Sequence, residues 1–137
     1  MAHPDLDRLL DWCIPFAQDC LKKRATFYPF AATIHADGEL APLAIHSGDD
    51  QPNASEMIAE FTSLIASLAS DGILAAAICY DGRVTVPGKE KQDAITVFLE
   101  HRNGECVTIY LPYAKKFLRG YQYGDVIGTE AEKRIFI

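Results

Sequence analysis

The stretch AITVFLEHRNGECVTIYLPY, residues 94–113, decides the fold. Apolar and polar side chains alternate on both sides of the turn-forming pair Asn103-Gly104. The segment therefore reads as two antiparallel strands, Ala94 to Arg102 and Glu105 to Tyr113. The pattern also selects the turn. A two-residue loop would set Leu99 opposite Thr108 and Val97 opposite Tyr110. A three-residue loop, Arg102 to Gly104, sets Leu99 opposite Val107, Val97 opposite Ile109 and Ile95 opposite Leu111. Only the second makes one face uniformly apolar, and it needs Gly104 left-handed within a bulge. The opposite face then carries Thr96, Phe98, Glu100, Cys106, Thr108 and Tyr110.

Upstream, Ile73 to Tyr80 is an apolar run with Ala75, Ala76 and Ala77 at its centre. It reads as a central strand buried on both sides, whose small residues let a helix approach closely. Asp81-Gly82 is expected to turn the chain, Arg83 to Val86 to form a short partner strand, and Pro87 to Gln92 a charged loop. Before the central strand lies a helix. Asn53 with Glu56 forms a capping pattern, Met57, Ile58, Phe61, Leu64, Ile65 and Leu68 form its stripe, and Asp71-Gly72 ends it.

Earlier still, Phe27 to Ala36 and Leu40 to His46 flank Asp37-Gly38 as a first hairpin. A two-residue loop there pairs Ile34 with Ala41, Ala32 with Leu43 and Phe30 with Ile45, and Pro42 suggests an edge strand. Ser47 to Pro52 reads as a polar loop. Leu6, Leu9, Leu10, Cys13, Ala17, Cys20 and Leu21 line one face of an N-terminal helix over about 4–24. Pro15 predicts a kink in it or a division into two.

After Ala114 the chain reads as an irregular tail, basic and then aromatic, with Arg134 to Ile137 as a final short strand. No internal repeat, low-complexity segment or linker stands out. The order α-β-β-α-β-(β)-β-β predicts a single α+β domain over 1–137. A mostly antiparallel sheet would carry two main helices packed on one face. This element order resembles that of the profilin-like and roadblock-like group.

Composition narrows the function classes. The 137 residues are 49% hydrophobic and 23% charged, with a net charge of −6, as expected of a folded rather than disordered chain. No apolar run approaches the length of a membrane span, and the acidic balance disfavours nucleic acid. Met1-Ala2-His3-Pro4-Asp5 has no signal-peptide character, and Cys13, Cys20, Cys79 and Cys106 have no C-x-x-C spacing. Four free thiols in a cytoplasmic protein are expected. The charge is divided: Ala25 to Gly82 holds eight acidic residues and no Lys or Arg, and the flanks are slightly positive.

Several segments carry a wider similarity. Phe27-Tyr28-Pro29-Phe30-Ala31, Asp37-Gly38-Glu39, Asp93-Ala94-Ile95, Leu99-Glu100-His101 and Leu111-Pro112-Tyr113 span most of Ala25 to Tyr113. Together they resemble the pattern FYPF…DG…DAI.V.LEH…PY of a family of small uncharacterised bacterial proteins. That family has no established activity. The resemblance implies a bacterial, cytoplasmic, single-domain protein and carries over no catalytic residue.

The chemistry-bearing residues are sparse. His35 and His46 lie at opposite ends of the first hairpin, and His46 with Asp49 and Asp50 forms only a weak metal pattern. Glu100 and His101 point to opposite faces of a strand, and His101 reads as a core-edge histidine. Nucleophile and phosphate-loop motifs are missing, Ser47-Gly48 needs no catalytic role, and Cys106 is the more exposed strand thiol. No catalytic residue, metal ligand set or cofactor is assigned, and a non-enzymatic role is favoured.

The leading expectation is a protein-interaction or self-associating domain that uses an open sheet face. Phe98, Glu100, Thr108 and Tyr110 would form that face, followed by Tyr113, Lys115 and Lys116. Its partner would be a second copy in a homodimer, or a basic protein steered by the acidic segment. The alternative is a small-molecule-binding protein or hydrolase. Its pocket would lie between that face and the C-terminal tail, with Glu100 and Tyr110 as polar groups.

Overall fold

A computed structural model describes residues 3–43 and 53–136. The expected pairing of Phe30 with Ile45, the loop from Ser47, and the His46, Asp49 and Asp50 pattern involve positions outside the described residues. The final residue of the strand expected over 134–137 also falls outside them.

Among the described residues, nine elements follow in order. They are α1 (Pro4–Arg24), β1 (Phe30–His35), β2 (Leu40–Leu43), α2 (Ala54–Leu68), β3 (Ile73–Thr85), β4 (Lys91–His101), β5 (Cys106–Lys116), β6 (Gly120–Tyr123) and β7 (Ile127–Glu130). The fold is α+β, with an antiparallel sheet in the order β2-β1-β3-β4-β5-β6, and β7 pairs with β5. β3 is the centre of the sheet. Ala75, Ala76 and Ala77 are fully buried there, so side chains of one methyl group meet both covering layers.

Those layers differ from the expected arrangement. The two helices lie on opposite faces of the sheet rather than on one. α1 packs Leu6, Leu9, Cys13, Ala17 and Leu21 against Ala32, Ile34, Ala75, Ala77, Cys79 and Val97. α2 packs Phe61 and Ile65 against Ala31, Ala76 and Ile78 on the other face. The reason lies in β3: an uninterrupted apolar strand needs cover on both sides, and one helix cannot supply it. α1 is a single helix, with Pro15 on its exposed side.

The second hairpin has the three-residue register read from the pattern: Ile95↔Leu111, Val97↔Ile109 and Leu99↔Val107. Gly104 has φ +104°. The first hairpin departs from expectation by one residue. It pairs Ile34 with Leu40 and Ala32 with Pro42, because its loop also has three residues. The two turns share one construction. Gly38 N–H donates to the His35 carbonyl (2.8 Å), and Glu39 N–H to Asp37 Oδ1 (2.9 Å). Gly104 N–H donates to the His101 carbonyl (3.0 Å), and Glu105 N–H to Asn103 Oδ1 (2.9 Å). A five-residue pattern, His-x-Asp/Asn-Gly-Glu, thus recurs at residues 35–39 and 101–105.

Asp81-Gly82 is not a turn. β3 runs straight through it to Thr85, and Gly82 pairs with Ala94 of β4. A Cβ on Gly82 would fall 2.5 Å from Thr96 Oγ1 and 3.3 Å from Tyr80 Cε2. The glycine serves close packing rather than a bend. The segment after Ala114 is also more regular than expected. β5 continues to Lys116, β6 folds back on it, and the last strand is Ile127–Glu130 rather than 134–137.

The sheet face that was expected to be open is closed by the chain itself. Phe98, Glu100 and Thr108 are buried, and Ile135 packs beside Phe98, Phe61 and Ile78. Glu100 organises this closure. Its Oε1 accepts the N–H groups of Arg134 (2.7 Å) and Ile135 (3.0 Å), and its Oε2 accepts that of Phe136 (2.6 Å). The Arg134 guanidinium covers the Phe98 ring at 4.5 Å from its centroid.

Two substitutions test this arrangement. Glu100→Ala removes the acceptor of three N–H groups and should destabilise the fold by about 3 kcal/mol or more. It should also make amides 134–136 exchange rapidly; an unchanged urea midpoint with unchanged exchange refutes the anchor. Gly82→Ala should lower stability by about 1–3 kcal/mol through overpacking, and a thermal midpoint equal to wild type refutes the close-packing role.

Candidate functional site

The residues singled out from the sequence do not form one surface. Phe98, Glu100 and Thr108 lie in the interior, the first two beneath residues 134–136, and Tyr110 is half-buried on that same face. Tyr113 and Lys115 alternate with Lys116 along β5, so Lys116 points to the opposite side. Tyr113 packs against Tyr121 and Tyr123, with ring centroids at 5.8 and 6.4 Å. Its hydroxyl donates to Asp81 Oδ1 at 2.6 Å. Burial, and then Asp81, hold its phenol well above the usual range, so it stays a donor.

Lys115 belongs instead to a cleft of about 820 Å³ between the last turns of α1 and the β5–β6 hairpin. Lys22, Lys23, Arg24, Lys115 and Arg119 stand around it, over Leu21, Tyr121 and Tyr123. The one carboxylate in its wall, Asp19, is bonded to Lys23 at 2.9 Å. Burial raises the Tyr123 phenol, with Tyr121 adding to the effect, so this hydroxyl remains a donor at neutral pH. Cations in the last turn of a helix have an ordinary explanation in the helix dipole. Lys115 and Arg119 do not share it. They come from a different element and face the helix cations, so like charges converge on one concavity. The concavity is thus suited to receive an anion.

The sequence hinted at this site through the basic and aromatic residues after Ala114, but not at its other wall. Lys22, Lys23 and Arg24 read as a helix ending, and the register Lys115↔Tyr121 needed a strand that the sequence left irregular.

A second cluster joins the start of α1 to the second hairpin turn. His3, Asp5 and His101 place one ligand-type atom each within 4.8 Å of one another. Asp5 Oδ2 lies 2.9 Å from His101 Nε2 and 3.4 Å from His3 Nδ1. The surrounding bonds fix the protons. Asn103 N–H donates to His101 Nδ1 (3.0 Å), so neutral His101 carries its proton on Nε2 and donates it to Asp5. Asp5 N–H donates to His3 Nδ1 (3.0 Å), which caps the helix. His3 N–H in turn reaches Glu105 Oε2 at 3.0 Å. The lone pairs a cation would need are committed, so the cluster works as a lock between helix and turn. His101 lies 96 residues from Asp5 in the chain, so local spacing could not show the cluster.

Two of the thiols, Cys79 and Cys106, are held in their protonated form at neutral pH. Cys79 is buried, and burial, then Cys13, push its thiol up. Cys106 is pushed up to about 11, by burial and then by Glu100. Alkylation with peptide mapping should find Cys106 slow at neutral pH and accelerating only as pH nears 11; rapid labelling at neutral pH refutes the shift. No family model matches the chain, and no curated protein or solved structure matches it either.

Proposed function

We propose that the protein is a binding module for a small anion, with a phosphate or carboxylate group attached to an apolar or aromatic body. The observation that carries this reading is the convergence of five cations from two separate elements on one tyrosine-floored cleft. The cations supply charge and hydrogen-bond donors for the anionic group. Tyr121, Tyr123 and Leu21 supply an apolar floor for the body of the ligand.

Binding is favoured over catalysis by the make-up of the wall. Among the described residues lining the cleft there is no His, Ser or Cys, and its single carboxylate is tied to Lys23. The wall thus offers neither a nucleophile–base pair nor a free general base. Association through the Phe98 and Glu100 face is not carried forward, because residues 134–136 occupy it.

The test is calorimetric titration with inorganic phosphate and with phenyl phosphate. Both should bind, phenyl phosphate more tightly, and both more weakly as salt rises. Lys115→Ala combined with Arg119→Ala should weaken binding about tenfold to a hundredfold, from the loss of two charge-assisted contacts. The unfolding midpoint should hardly move, since both side chains are exposed. Equal affinity in the double variant refutes the site.

A further inference from the structure

The β5–β6 hairpin ends in a tip that the cleft does not explain. Phe117 and Leu118 occupy the corner of a turn closed by Arg119 N–H donating to the Lys116 carbonyl at 3.1 Å. Each is 89% exposed, the most exposed large apolar side chains among the described residues. Leu118 is also held at φ +60°, a left-handed conformation that costs a branched side chain free energy and usually selects Gly or Asn. The chain therefore bears both a backbone cost and a solvation cost to present an aromatic and an aliphatic side chain side by side. Neither residue lines the cleft.

The surroundings indicate what the tip meets. Lys115, Lys116 and Arg119 flank it within the hairpin, and Lys22, Lys23 and Arg24 stand across the cleft at the same end of the sheet. The molecule as a whole is acidic, at −6, so this end is a local reversal of sign. A ring of cations behind two protruding apolar side chains matches an anionic bilayer surface. The cations meet the headgroups, and Phe117 and Leu118 enter the boundary beneath them. Nucleic acid fits less well, because Leu118 has no ring to stack on a base.

We infer that the β5–β6 hairpin docks the protein on an anionic lipid surface, with Phe117 and Leu118 as its inserting residues. Such docking is a surface contact and is compatible with the absence, among the described residues, of a helix able to cross a membrane. It shares cations with the cleft but does not require the cleft to hold a ligand.

The experiment is co-sedimentation of the full chain with vesicles of phosphatidylcholine alone and of phosphatidylcholine with phosphatidylglycerol. Binding is expected to the second only, weakening as salt rises. Phe117→Ser with Leu118→Ser should reduce it by about tenfold or more, because the two apolar side chains supply the burial. The unfolding midpoint and the phenyl phosphate titration should both stay at wild-type values in this variant. That outcome separates the tip from the cleft, so failure of either reading leaves the other standing. Failure to bind phosphatidylglycerol vesicles, or equal binding by the double variant, overturns the inference. Binding of a single-stranded oligonucleotide that is lost in the double variant also overturns it, and assigns the tip to nucleic acid.

Discussion

Burial of Ala75 to Cys79 in β3 on both faces is the constraint from which the architecture follows. Ala75, Ala76 and Ala77 offer no bulk of their own, so the strand is stable only if large side chains close over it from above and below. α1 completes one layer alone, with Leu6, Leu9, Cys13, Ala17 and Leu21 along its face. α2 is shorter, and its buried contacts, Phe61 and Ile65, reach β1 and β3 but leave Phe98 of β4 to be covered by something else. Residues 134–136 supply that cover. Their backbone N–H groups would be stranded in the interior without an acceptor, and the Glu100 carboxylate receives all three. A buried acid near the end of β4 is thus the consequence of the alanine-rich strand beside it, where Ala76 lies directly opposite Glu100.

Much of this was legible in the sequence, wherever a local pattern carried the information. The register around Asn103-Gly104 followed from matching apolar faces, and the α2 start followed from Asn53, whose Oδ1 accepts Glu56 N–H at 3.2 Å. What was not legible depended on partners distant in sequence. Asp81-Gly82 has the composition of a turn, and only Tyr80 and Thr96 explain why a glycine is needed in a strand. The Asp37-Gly38 turn was read one residue short, because composition alone does not distinguish its loop length. Glu100 looked like a solvent-facing acid beside Phe98, because nothing nearby announces that three amides from the far end of the chain will meet it. The cleft was half visible for the same reason, with one wall in the tail and the other at the end of α1.

The charge pattern gains a spatial meaning from the fold. α1 runs from the hairpin turns at one end of the sheet to the β5–β6 tip at the other. Its first turn carries Asp5 and Asp7, and its last carries Lys22, Lys23 and Arg24. Acidic groups of the two glycine turns, Asp37, Glu39 and Glu105, lie near the helix start, where Arg8 donates to the Gly38 carbonyl at 2.7 Å. α1 is therefore acidic in its first turn and basic in its last. Opposed ends of this kind orient a protein in an external field before contact, and the orientation brings the basic end to an anionic target.

The closure of the second sheet face by residues 134–136 sets an order on the birth of the protein. During synthesis the α1 face has all its strand partners once β6 has been made. The α2 face keeps Phe98 uncovered until residues 134–136 have been added. A nascent chain, or one interrupted late, thus presents a half-finished molecule with one complete face and one adhesive face, the kind of species that aggregates or recruits chaperones. The carboxylate of Glu100 works in this sense as a completion signal: the sheet face becomes inert only when residues 134–136 have reached it.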